Sequence, residues 1–526
     1  ADAGATWRNV LPTTVKGGCL DLALRTDTTG DFLFASCGVL DQATVYRATN
    51  AESDAPFTAV FSQPGMSRTS LAIAPSNPSI IYALAADFDQ QLLGVYRSDH
   101  NGDPGTWQAR VTKTDPVLQN TMLLTNPVAP LCGNPNARTP MGWHCNVIAV
   151  DPVDPERVWA AGVDLFRSDD GGRTWGIGSY WWADPILPSF VHADQHVIVF
   201  DPRYDGTTNK TLFAANDGGV FRTDNARGPL AFGNMAACEP GNTGMIWRSL
   251  NHNYGATQFY YGAVTPDGRT YLGGAQDNGT VFGSPAFGID GWRMQNGGDG
   301  GYVAVDPVVP TTIYSESQFG FLARSVDGGQ SFDDFIDGLQ DQFLFVTPYL
   351  IDPNQHDRLW IAGRRFWRRD PATTRWVSVT GLSLAGQVSA LAVANGNPDR
   401  LLGGTSSGEL VRSDNATAEP GLVSWTRALP RGGYVSSIAF DPANPDVAYA
   451  TYAGFGGGAH VWKTSDGGMT WGPLDGTGDG ALPDIPMHSL AVDPTRPGRL
   501  FLGTDLGLFV STDNGAHWMV ENSGFA

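Results

Sequence analysis

The stretch Ser168-Asp169-Asp170-Gly171-Gly172-Arg173-Thr174-Trp175 decides how this chain is read, because it recurs. It returns as Ser325-Val326-Asp327-Gly328-Gly329-Gln330-Ser331-Phe332, as Thr464-Ser465-Asp466-Gly467-Gly468-Met469-Thr470-Trp471, and as Ser511-Thr512-Asp513-Asn514-Gly515-Ala516-His517-Trp518. Degenerate copies lie at Ser98 to Trp107 and Ser413 to Trp425. The shared pattern is Ser/Thr-x-Asp-x-Gly-x-x-aromatic. Each position suits a tight turn between strands: the aspartate accepts turn amides, the glycine takes a positive φ, and the aromatic anchors the outgoing strand. A turn repeated along a chain is the mark of a repeat architecture.

A second repeat sets the count. Alternating apolar segments end in Asp-Pro at Asp151, Asp201, Asp306, Asp352, Asp441 and Asp493, with weaker equivalents at Ala74-Pro75 and Thr265-Pro266. The next strand follows at once, then a turn, a third strand, the octet and a fourth strand. Four strands over ~45–50 residues make one propeller blade. This predicts an all-β propeller of about ten four-stranded blades. They begin near Gly18, Ser67, Trp143, Val191, Thr257, Gly298, Phe345, Val388, Val435 and Met487. The chain reads as a single domain over 1–526, with blade insertions at about 112–143 and 224–246. A single ten-bladed ring fits the count best; two smaller packed propellers are the alternative. Thr6 to Leu11 reads as an outer strand that closes the ring.

The octet resembles the Asp-box (BNR) repeat of bacterial sialidases, xyloglucan-degrading hydrolases, sortilin and photosystem-assembly propellers. That resemblance implies the propeller fold and leaves the activity open, since those families do different things. The segment from Trp143 to Asp327 resembles a widespread group of secreted, glycosyl-hydrolase-like BNR proteins, through His192 to His196, Asn216 to Gly219, Thr257 to Tyr260, Gly274 to Gly279 and Asp299 to Tyr302. The arginine triad and Arg-Ile-Pro motif of sialidases have no match here. Nor does the early catalytic aspartate of the xyloglucan hydrolases.

Composition supports an exported protein. The chain has 526 residues, 65 Gly, 16 Trp and a net charge of −20. That charge argues against nucleic acid and anionic membranes as partners. No apolar run is long enough to span a bilayer. The start at Ala1 reads as a processed N-terminus. Of five cysteines, Cys19 and Cys37 flank a turn in register for a cross-strand bridge. Cys132 and Cys145 are expected to staple one loop, leaving Cys238 over. Disulfides imply a secreted or periplasmic location.

Propeller geometry places the octets at one face. The starts of the first strands, with the turns between second and third strands, lie at the other. Loops on a rigid scaffold carry function, so chemistry is expected at that second face. Val191-His192-Ala193-Asp194-Gln195-His196 is the densest ionisable run in a chain with nine histidines. On a regular strand His192, Asp194 and His196 share one side and can present three metal ligands. Aligning the other blades on Asp-Pro adds His144 and Asp299 beside Asp194, and Tyr260 beside His196. The second-to-third turns add Asp217, Asp277, Glu316, Arg364 and Arg365. In Gly297-Gly298-Asp299-Gly300-Gly301, four glycines around one carboxylate allow either tight packing or close approach by a ligand. Trp181 and Trp182 read as a sugar platform or as core.

These residues support a glycan-active protein, foremost a glycoside hydrolase with Asp194 and Asp299 as the carboxyl pair and Asp277 in reserve. His192, His196, Trp181, Trp182, Tyr260, Glu316 and Arg364 would contact the substrate. The alternatives are a non-catalytic scaffold for a glycan or extended peptide, as the sortilin likeness implies, and a polysaccharide lyase. The hydrolase needs no cofactor; a divalent metal at His192, Asp194 and His196 is the one cofactor the pattern accommodates. The partner is an oligo- or polysaccharide, and the chain is expected to act as a monomer.

Overall fold

The computed structural model describes residues 5–11, 17–28, 30–51, 56–252, 257–288, 291–379 and 381–523. Among them lie ten four-stranded antiparallel sheets, each a meander of four consecutive strands. The fold is that of an all-β propeller, with ten blades among the described residues. Their first strands begin at Cys19, Thr69, Val147, Gln195, Phe259, Val303, Tyr349, Val388, Tyr434 and Met487. The chain divides into two compact units, Ala1–His252 with four blades and Asn253–Ala526 with six. In the first unit the first strands of successive blades lie side by side. In the second unit, Tyr349–Asp352, Val388–Ala394, Tyr434–Asp441 and Met487–Val492 do the same.

Central strands are apolar throughout because both faces of a blade are covered. In Val158–Ala161, Trp159 and Ala161 pack into one cluster with Leu212, Phe221 and Trp247. Val158 and Ala160 pack into another with Tyr82, Leu84 and Trp175. First strands such as Gln195–Phe200 keep the half-buried alternation of a sheet with one covered face.

The two repeats act as turn chemistry. Asp151, Asp201, Asp306, Asp352, Asp441 and Asp493 each accept the amide two residues on, which turns the chain into the second strand. In the octet, Ser168 Oγ accepts the Gly172 amide at 2.8 Å. Asp170 accepts the Arg173 and Thr174 amides and the Thr174 hydroxyl. The Trp175 indole N–H then donates to Gly172 O at 3.0 Å. Asp327 and Asp466 repeat these aspartate contacts, and Asp513 accepts the His517 amide and ring. Burial opposes charge on Asp170, yet the hydrogen bonds outweigh it and hold the group below the usual carboxylate range.

Pairing registers separate the two faces. Gln195, at the start of a first strand, pairs with Asn216 beside the second-to-third turn. Ser168, which opens an octet, pairs with Val158, whose other partner is Val150 at the end of a first strand. The octets therefore lie at the opposite end of the blade from Asp217.

Three expectations are corrected. Cys19 and Cys37 are register partners and are bonded, but Cys132 bonds Cys238, not Cys145. The reason is packing between the two insertions: the helix Val128–Cys132 lies on the turn Ala236–Cys238, and Leu131, Ala236 and Ala237 share one cluster. Cys145 is a buried free thiol. Finally, residues 5–11 form no strand and Trp7 is 91% exposed; Met519–Val520 supplies the last blade's fourth strand. Among the described residues, no helix is long and apolar enough to cross a membrane.

Candidate functional site

In the first unit, the ionisable residues gather at the face opposite the octets. His144 Nε2 lies 3.0 Å from Asp217 Oδ2, and His196 Nε2 lies 2.5 Å from Asp217 Oδ1. The two imidazoles meet edge to face with centroids 4.8 Å apart, and Trp143 flanks His144. His144 and Asp217 are fixed from behind. Arg68 donates to the carbonyls of Trp143 and His144. Gln195, fully buried, accepts from the Asn216 side chain at 3.1 Å and so braces the turn that carries Asp217. Burial opposes charge on Asp217, but the two imidazole contacts hold its carboxyl low, and the same contact with Asp217 raises His196.

Asp194 stands next to this group. It accepts from the Cys145 thiol at 3.1 Å, and one of its oxygens lies within 4.8 Å of an Asp217 oxygen. Burial raises its carboxyl. Its φ of 64° is left-handed, which is rare outside glycine and costs backbone energy. This explains why His192, Asp194 and His196 do not form one ligand set. The strand begins only at Gln195 and its register shifts between Gln195 and Val197, so the strict alternation expected for a strand is broken. The His192 ring instead packs against Gly218, where a Cβ would come within 2.4 Å of three ring-side atoms. His144 and Asp217 take the places of His192 and Asp194 beside His196 in the converging set.

Sequence reasoning missed Asp164, although the blade register that singled out Asp217 passes through the equivalent turn. Asp164 is sealed from solvent. It accepts from Ser179 Oγ at 2.9 Å and the Trp181 amide at 3.0 Å, while its Oδ2 has no hydrogen-bond partner. Burial pushes its pKa up to about 8 against those contacts. A carboxyl raised this way in the fold stabilises the fold fully below its ordinary pKa near 3.8. That contribution is lost as pH rises towards about 8, and no more is lost above. Asp164→Asn is therefore expected to flatten the fall in melting temperature between pH 5 and pH 8. Equal pH slopes in wild type and variant would contradict this.

The paired tryptophans face the insertions. The Trp181 indole donates to Asn126 Oδ1 and the Trp182 indole to Ala237 O, although Trp182 keeps 36% of its surface exposed.

In the second unit, Asp299 Oδ1 accepts the Asp277 amide at 3.0 Å and Oδ2 accepts from the Gln318 side chain at 2.8 Å. Asp277 has a left-handed φ of 58°. Tyr260 is half-buried; burial first, then the charges of Asp299 and Asp277, raise its phenol. Its ring meets Phe345, which meets Phe319 edge to face at 5.3 Å. Phe319 is 61% exposed at a φ of 55°, a costly conformation for a bulky side chain. Phe319 went unnoticed in the sequence because it does not ionise.

Two further expectations change here. Glu316 is wholly buried and accepts the amides of Tyr302, Gly320 and Thr347, so it braces neighbouring blades and is closed to a substrate. The glycine run serves mainly packing: a Cβ on Gly300 would lie 2.2 Å from Gly279 O, and one on Gly301 would lie 1.7 Å from Glu316 Oε2. Only Gly297 faces open space on both the φ and contact criteria. Arg364 and Arg365 are exposed and line a polar pocket of about 840 Å³ with Asp341, Gln342 and Ser383. Arg364 Nε donates to Gln342 Oε1 at 2.8 Å.

No protein-family model matches the chain, and no curated protein matches it. Among solved structures, the chain is similar to a GH74 enzyme from Niastella koreensis at 15% identity. That match covers 96% of this chain and 78% of the other, with a TM-score of 0.28. It is also similar to YCF48 from Cyanidioschyzon merolae at 12% identity, over 70% of this chain and 94% of the other, with a TM-score of 0.32.

Proposed function

We propose that this protein is an exported, glycan-active propeller that hydrolyses glycosidic bonds. The observation that carries the reading is the placement of Asp277 and Asp299, with Asp299 gripping the amide of Asp277 beside Tyr260. Glycoside hydrolysis needs one carboxylic acid to protonate the leaving oxygen and a second carboxylate as base or nucleophile. Asp277 and Asp299 would supply that pair. Tyr260, Phe345 and Phe319 offer apolar ring faces on which a sugar can stack. Arg364 and Arg365 would take an acidic sugar. The resemblance to Asp-box proteins and the two disulfides support an exported glycan-active protein.

The scaffold reading is favoured by one fact: Asp299 spends both oxygens on protein groups, the Asp277 amide and the Gln318 side chain. A panel of neutral and uronate-containing polysaccharides separates the readings. The hydrolase reading predicts new reducing ends on at least one polymer. Unsaturated product would mean a lyase, and retention of a polymer without product would mean a scaffold.

A further inference from the structure

We infer that His144, His196 and Asp217 form a binding site for a divalent first-row transition metal, with zinc the best-fitting ion. The inference is argued from His144, His196 and Asp217, none of which the glycan reading uses.

Two imidazoles and one carboxylate are a common ligand set for such ions, and the three come from separate segments of the chain. His144 precedes the first strand of the third blade, His196 lies in the first strand of the fourth, and Asp217 turns between its second and third strands. One ligand atom from each lies within 4.8 Å of the other two. Tetrahedral ligands at about 2.0–2.1 Å from zinc stand about 3.3 Å apart, so the Nε2–carboxylate contacts of 3.0 and 2.5 Å need to open by less than ~1 Å. Both Nε2 atoms already point at the same carboxylate, at 3.0 and 2.5 Å.

The surroundings hold that geometry. Arg68 fixes the backbone of His144, and the Gln195–Asn216 contact fixes the turn of Asp217. Metal affinity depends on such support nearly as much as on the ligands. The ligands are also accessible: the His144, His196 and Asp217 side chains keep 31%, 35% and 16% of their surface. Three protein ligands leave a fourth position open, the arrangement of a catalytic site rather than a closed structural one. Asp194 stands beside the set, where it can accept a hydrogen bond from water bound at that position. Hard cations such as calcium prefer all-oxygen shells and are disfavoured by the two imidazoles.

The test uses tag-free protein stripped with EDTA and titrated calorimetrically with ZnCl2, CoCl2 and CaCl2. Expected is uptake of one Zn2+ or Co2+ per chain, visible ligand-field bands with Co2+, and no calcium binding. His144→Ala, His196→Ala and Asp217→Asn should each weaken zinc binding by at least ~100-fold. His100→Ala, at an octet-type turn of the same unit, should bind like wild type. Melting curves of the metal-free variants show that they fold, and Asp217→Asn keeps the shape of the turn if an alanine variant does not. No uptake by wild type, or unchanged affinity in folded Asp217→Asn, would overturn the site.

Discussion

Gly274→Ala is expected to lower the melting temperature of the protein by roughly 6–12 °C. Gly274 lies in the second strand of the fifth blade, and its pro-Cβ direction points at the next blade's backbone. A methyl there would sit 1.9 Å from Gly301 O and 2.7 Å from the Gly300 carbonyl carbon. Neither atom belongs to a side chain that can swing away. Overpacking of this kind costs about 3 kcal/mol. At 2–4 °C per kcal/mol for a unit of this size, that gives the stated shift of roughly 6–12 °C. Calorimetry checks it. A melting temperature within a degree of wild type would mean that the two segments are not in backbone contact.

The same contact explains the glycines around Asp299. Gly274, Gly300 and Gly301 let two backbones close to a distance that no side chain permits, and that closure sets Asp299 beside Asp277. The residues that pack the blades and the residues that carry chemistry are neighbours in sequence, which is why the run read equally well both ways.

The repeat pattern announced the fold almost completely. The Asp-Pro turns and octets have local causes, each aspartate accepting amides two to four residues away, so they are visible in any short window. Blade starts fell within five residues of expectation, with Gly298 against Val303 the widest gap. The site was legible only where it followed the same register. Asp217 and His144 were aligned correctly because turns and strand starts repeat. His192 was misplaced because a register shift and a left-handed Asp194 interrupt the strand. The Cys132–Cys238 bond spans 106 residues and depends on two insertions packing together, for which no local pattern exists. Asp164 acts through burial and hydrogen bonding, which residue type alone does not disclose.

The second large effect concerns activity. On the polymer that the panel identifies, Asp277→Asn and Asp299→Asn should each reduce kcat/KM by about 10²–10⁴-fold, the range for losing a general acid or base. Asparagine preserves the size of each side chain, and at Asp299 one oxygen still accepts the Asp277 amide. The fold should therefore survive while proton transfer is lost. Asp466→Ala provides the opposite case within the same unit. Asp466 accepts two amides and two hydroxyls in its octet turn, so its loss should lower the melting temperature. It stands at the octet end of its blade, and kcat/KM should stay within about twofold of wild type, as for a surface change remote from the chemistry.

Measured side by side, kcat/KM of Asp299→Asn and Asp466→Ala tests whether function resides at the face opposite the octets. A loss of about 10²-fold or more is expected in the first and near-wild-type turnover in the second. Unchanged turnover in Asp299→Asn, or an equal loss in Asp466→Ala at matched folded fraction, would contradict it.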